Sequence, residues 1–135
     1  MRQGRFGCDA APVALRCLIV DDNKRFLEVA STSLARDGLE VVGTATTTED
    51  ALRQTDRLRP EVVLVDISLG LESGFDLARK LVDRFPELQG RVVLISTRSE
   101  QDYADLIAAS PAAGFLPKAR LSADAVRELI SSEPA

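Results

Sequence analysis

Between Leu15 and Ile130 the chain alternates five times between a short apolar run and a segment whose apolar residues recur at helical spacing. Runs of the first kind read as strands and segments of the second as amphipathic helices. Their alternation is the pattern of a parallel sheet covered by helices on both faces. The first strand reads over residues 16–20 and its helix over 23–37, with Phe26, Val29, Ala30 and Leu34 on one side and Gly38 as the stop. The second strand reads over 40–43. Its helix covers 47–58, opened by Thr46 and Glu49 at capping-box spacing and ended by Pro60.

Residues 62–66 are apolar at both parities up to Asp66, which predicts a strand buried on both faces and central in the sheet. After a loop over 68–73, Phe75, Ala78, Leu81, Val82 and Phe85 mark a helix that Pro86 stops; this stripe is core, not a cofactor box. A fourth strand over 91–95 ends at Ser96, and a helix over 99–109 presents Tyr103, Leu106 and Ile107. A fifth strand over 114–116 ends at Pro117 and Lys118. The last helix, 122–131, offers Ala125, Val126, Leu129 and Ile130 to the core.

At 135 residues the chain is one domain, large enough to bury a core without staples. Residues 1–14 carry glycine and proline without apolar periodicity and read as a flexible lead-in; 132–135 are a short tail. No run is long enough to span a bilayer and no signal-peptide core is present, so a cytoplasmic protein is expected. A net charge of -4 argues against an extended nucleic-acid face. Cys8 and Cys17 form neither a disulfide framework nor a paired zinc motif, and Cys17 reads as a buried apolar residue. Histidine is absent, which excludes Ser-His and Cys-His nucleophile pairs, His-ligated zinc and a phosphohistidine carrier.

Ligands of open α/β sheets bind beyond the carboxyl ends of the strands. Asp21, Asp22, Asp66, Ser96 and Lys118 all fall at strand exits and so at one edge. Singly, each has a plain reading, such as helix capping by Asp-Asp-Asn or a polar residue on a solvated loop. Together they are chemically consistent. Unit charges about 4 Å apart repel by about 4 kcal/mol at an effective dielectric near 20, so three clustered carboxylates call for a cation. Magnesium suits them, being bound by one or two carboxylates plus a phosphate, with Lys118 and the Ser96 hydroxyl left to meet the anionic group. A carboxylate nucleophile beside magnesium is the arrangement that makes an acyl phosphate.

These residues, in this order and context, resemble the receiver domain of two-component response regulators, and the likeness covers nearly everything from Leu15 to Ile130, within a domain expected over 15–131. The resemblance implies a flavodoxin-like, doubly wound, five-stranded parallel sheet of order 2-1-3-4-5. It implies that Asp66 accepts a phosphoryl group from the phosphohistidine of a histidine kinase or phosphotransfer protein. Asp22 would bind magnesium directly, Asp21 mainly through water, and Ser68 through its backbone carbonyl. Ser96 would be the switch hydroxyl, Lys118 the site lysine, Phe115 the switch aromatic, and Gly74 the glycine after the phosphorylation loop. Such a domain is a signalling switch, promoting its own phosphoryl transfer and slow dephosphorylation, rather than an enzyme acting on a separate substrate.

Two positions depart from the family pattern. Gly70 stands where proline is common, leaving that loop freer. Lys118 precedes Ala119 rather than proline, so a trans bond or a compensated strain is expected there. A magnesium-dependent phosphohydrolase forming an aspartyl phosphate is disfavoured, because Ser68 replaces the acid-base aspartate such enzymes carry two residues after the nucleophile. A degenerate, unphosphorylated receiver would need a missing catalytic group, and a flavodoxin-like flavin or nucleotide binder would need a glycine-rich phosphate loop. The chain ends just after its last helix, as a standalone receiver or part of a longer regulator would. Ser96 and residues 116–119 resemble receivers joined to helix-turn-helix output. A phosphorylation-dependent homodimer through the last two helices is expected from Asp102, Asp105, Arg127 and Glu128, with no nucleic acid or membrane bound by this domain itself.

Overall fold

The structure, a computed structural model, describes residues 14–131. The core strands are β1 (Arg16–Val20), β2 (Glu40–Ala45), β3 (Val62–Asp66), β6 (Val92–Ser96) and β7 (Gly114–Pro117). The helices are α1 (Lys24–Arg36), α2 (Thr48–Leu58), α3 (Gly74–Arg84), α4 (Ala104–Ala109) and α5 (Ala123–Ser131). A two-strand ribbon, β4 (Ser68–Leu69) and β5 (Glu72–Ser73), sits between β3 and α3. The parallel sheet runs β2-β1-β3-β6-β7, which is the expected 2-1-3-4-5 when only core strands are counted.

Alternation along the strands divides the core in two. Leu18, Val20, Val63, Val65 and Leu94 face one side, where α2, α3 and part of α4 cover them; Cys17, Ile19, Val62, Leu64 and Ile95 face the other, under α1 and α5. Strands β3 and β6 are buried along their whole length, as the apolar run at both parities of β3 requires. Burial also pushes the Cys17 thiol up to about 12, so it stays protonated and behaves as an apolar core residue. Cys8, the lead-in up to residue 13 and the tail from residue 132 lie outside the described residues.

Several expected details are corrected by the packing. Helix α1 turns Leu27, Ala30 and Leu34 inward and leaves Val29 at 61% exposure, because Leu27 and not Val29 completes the inward stripe with Ala30 and Leu34. Strand β2 runs on to Ala45, whose carbonyl accepts from Asp21 N at 2.9 Å. The cap of α2 is Thr47, accepting from Asp50 N at 3.1 Å, one residue later than the Thr46 and Glu49 spacing suggested. Helix α3 is anchored by Leu77 as well as Ala78 and Leu81. The segment expected as one helix over 99–109 is a 3-10 turn, Glu100–Tyr103, followed by the short α4, in which no residue is buried.

The loop after β3 is the ribbon's turn. Leu69 pairs with Glu72, leaving Gly70 and Leu71 as a two-residue hairpin loop, with Gly70 at φ +62. Positive φ at the first loop position is the type II′ pattern, which glycine adopts freely and a proline ring at φ near -65 forbids. Among the described residues no peptide bond is cis, which makes the Lys118–Ala119 bond trans.

Candidate functional site

The strand exits build the site. Asp21 follows the last residue of β1 and is fully buried; Asp66 ends β3, one strand over, at 6% exposure. Asp22, next in the chain, is exposed above them. One carboxylate oxygen from each of the three lies within 4.8 Å of the others. Lys118, just past β7, reaches across the sheet edge, its Nζ 2.6 Å from Asp21 Oδ2 and 3.4 Å from Asp66 Oδ2. Ser96 closes β6 beside Asp66 and is 6% exposed, but its Oγ is turned to its own loop, accepting from Arg98 N at 3.0 Å.

Local structure sets each carboxylate. Asp21 Oδ1 accepts from Asn23 N at 2.9 Å, and Asn23 in turn caps α1, so the buried aspartate is fixed by the helix start. Asp66 Oδ1 accepts from Ser68 N at 3.2 Å, tying it to the ribbon. Gly74 permits the return of the chain: its N donates to Ile67 O at 2.7 Å, and a Cβ there would run into the Asp66 carbonyl. Glu72 fastens the ribbon to α2 by accepting from Thr48 N at 2.8 Å.

Burial and the neighbouring Asp21 charge push the Asp66 carboxyl up to about 6, against the opposing pull of Lys118 and the Ser68 amide. A site that raises a carboxyl this way favours whatever cation relieves it. The donor set fits magnesium. It consists of carboxylate oxygens, and the Asp21 carboxylate among them has an oxygen, Oδ2, that is buried and takes no aligned hydrogen bond, its contact with Lys118 being a charge pair. That oxygen has a lone pair to give a metal.

Of the residues singled out from the sequence, Asp21, Asp22, Asp66 and Lys118 come together directly. Ser96 stands one strand away, Ser68 meets Asp66 through its amide, and Phe115 is buried in β7 within the cluster that Tyr103 and Ile107 pack against. Residues that the sequence reading missed at the site are Phe26, whose ring lies 4.3 Å from Lys118 Nζ, and Glu72. Phe26 was legible only as an apolar position of α1. Glu72 carried no signal, since nothing in the chain announces a ribbon clamped to α2.

The family model described as "Response regulator receiver domain" matches residues 17–130. The chain is 30% identical over 120 residues to the response regulator GacA of Pseudomonas viridiflava, covering 85% of this chain and 53% of that protein. It is 28% identical over 117 residues to the transcriptional regulatory protein DegU of Brevibacillus brevis, covering 86% and 48%. The chain thus spans about half the length of the curated relatives it matches. Among solved structures, the signal receiver domain of the response regulator NarL from Mycobacterium tuberculosis superposes with a TM-score of 0.71 at 29% identity, over 90% of this chain and 94% of that one.

Proposed function

Because this chain belongs to the response regulator receiver domain family, we propose that it is a phosphorylation-dependent switch whose acceptor is Asp66. The observation that carries the reading is the convergence of Asp21, Asp22, Asp66 and Lys118 at one sheet edge, with Asp66 held at the end of the fully buried β3. The donor is the phosphohistidine of a histidine kinase or phosphotransfer protein. An Asp66 carboxylate oxygen attacks phosphorus, the P–N bond breaks as the P–O bond forms, and the imidazole leaves with the electron pair and takes up a proton. Transfer of this loose kind asks the protein for positioning and charge neutralisation rather than a general base, which suits a chain without histidine.

Asp21, Asp22, Asp66 and the Ser68 carbonyl would hold magnesium, which supplies neutralisation of the carboxylates and of the phosphoryl oxygens. Lys118 contributes a fixed positive charge on the other side of the acceptor. Once Asp66 is phosphorylated, its new oxygens draw the Ser96 hydroxyl away from its loop and Lys118 with it, and Phe115 repacks as the adjoining β7 and α4 adjust. The output is altered binding, either to a partner or to a second copy through α4 and α5.

Incubation with magnesium and acetyl phosphate, followed by intact mass, tests the reading. One phosphoryl adduct, stable to acid and labile to base, is expected on the wild type and none on Asp66→Asn. A wild type that takes no adduct from any donor contradicts it.

A further inference from the structure

Three groups among the described residues meet Lys118 Nζ: Asp21 Oδ2, Asp66 Oδ2, and the face of the Phe26 ring, whose centroid is 4.3 Å away. The side chain is only 12% exposed, so little water competes for the ammonium. A cation over an aromatic face is attracted by the ring quadrupole, most strongly when desolvated. The ring is held in place by the same loop that holds the aspartate. Asp21 Oδ1 accepts from Asn23 N, Asn23 Oδ1 accepts from Phe26 N at 3.1 Å, the Phe26 ring faces Lys118, and Lys118 returns to Asp21 Oδ2. This circuit joins the exits of β1 and β7 through the first turn of α1.

The three partners differ in what the chemistry does to them. In the function proposed above, on which this inference rests, phosphorylation turns an Asp66 oxygen into the bridging oxygen of an acyl phosphate, and a cation competes for Asp21. The ring is the one partner of the three that neither event alters. We propose that Phe26 is a positioning residue for phosphoryl transfer, its ring face holding the Lys118 ammonium at the acceptor while the oxygens of Asp21 and Asp66 are taken up by the cation and the phosphoryl group. The competing role is bulk alone, since Phe26 also packs against the apolar cluster under α1 and α5. Bulk would be served by leucine; the proposed role needs electron density on the ring face.

The test uses the full chain with magnesium and acetyl phosphate, comparing wild type with Phe26→Leu, Phe26→Tyr and trifluorophenylalanine placed at position 26, with thermal melts to confirm folding. The leucine and trifluoro forms are expected to acquire the acyl phosphate roughly three- to thirtyfold more slowly, and the tyrosine form near the wild-type rate. Magnesium affinity should be the same in all four. Without any phosphodonor, the Phe26 ring current should shift the Lys118 ε-methylene protons upfield, and Phe26→Leu should abolish that shift. The inference is overturned if the leucine and trifluoro forms keep the wild-type rate, if all three substitutions slow it alike, or if the upfield shift is absent. A wild type that shows the shift but takes no phosphoryl group instead overturns the functional reading.

Discussion

Helix α3 runs for eleven residues from a side-chain cap at Ser73, with Leu77, Ala78 and Leu81 sealed against the sheet. Helix α4 runs for six residues after a 3-10 turn, has no side-chain cap, buries none of its residues and leaves Leu106 at 54% exposure. Both follow strands buried end to end, β3 and β6. Asp66, the proposed acceptor, lies at the exit that feeds the well-packed helix, while Ser96 lies at the exit that feeds the loose one. Segments with few buried contacts and unsatisfied ends open at low free energy, and moving elements are drawn from them. The contrast teaches that the site spans a boundary. Its carboxylates stand on fixed ground, and the groups proposed to report their state stand on ground that can shift, with the Phe75–Tyr103 ring contact at 6.1 Å joining α3 to the 3-10 turn that leads into α4.

Truncation at matched positions should expose the contrast most sharply. Leu77→Ala, at a fully buried position of α3, is expected to cost about 2–5 kcal/mol in denaturant unfolding. Gly74→Ala, where a Cβ meets the Asp66 carbonyl, should cost about 1–3 kcal/mol and also slow phosphorylation by displacing the acceptor strand end. A loss under half a kcal/mol at either position would mean that the acceptor side is not the rigid one.

A smaller effect is expected from charge. Because the folded site raises the Asp66 carboxyl to about 6 from an ordinary 3.8, the native state binds this proton more tightly than the unfolded chain. Its contribution to stability is therefore whole below about pH 3.8 and is lost as pH rises through about 6. In magnesium-free buffer at pH 7, Asp66→Asn should stabilise the fold by about 1 kcal/mol, after allowance for solvent on the open side of the site. That gain should vanish in melts near pH 4, and magnesium should reduce it for the wild type. A pH-independent difference would show that the carboxyl is not perturbed. Smallest of all, Leu106→Ala should change stability by no more than about 0.5 kcal/mol, and a core-sized loss would place α4 in the packed interior.

The same boundary separates what could be read from the chain from what could not. Strand β3 was legible because Val62, Val63, Leu64 and Val65 are apolar at both parities, and only a strand covered on both faces requires that. The grouping of Asp21, Asp22, Asp66 and Lys118 followed from strand exits, which topology gathers whatever the side chains do. Helix α4 was misread as a longer helix since its periodicity is real while its burial is not; pattern predicts amphipathicity, and tertiary packing decides how much helix survives. Val29 stands at helical spacing with Phe26 and Leu27 with Ala30 and Leu34, so sequence spacing left the helix phase open. The β4–β5 ribbon depends on Glu72 meeting Thr48 across space, and the Phe26 contact on a lysine far along the chain. Local pattern carries no trace of either.

Backbone amide spectra recorded before and after adding magnesium with beryllofluoride, a phosphoryl mimic, would separate a switch that moves α4 from one that stays local to Asp66. Shifts are expected at the Asp66 exit and through the segment from Ser96 to Lys118, including α4 and Phe115, while the amides of α3 beyond its first turn stay in place. Shifts confined to the acceptor loop, or spread as strongly through α3 as through α4, would contradict this expectation.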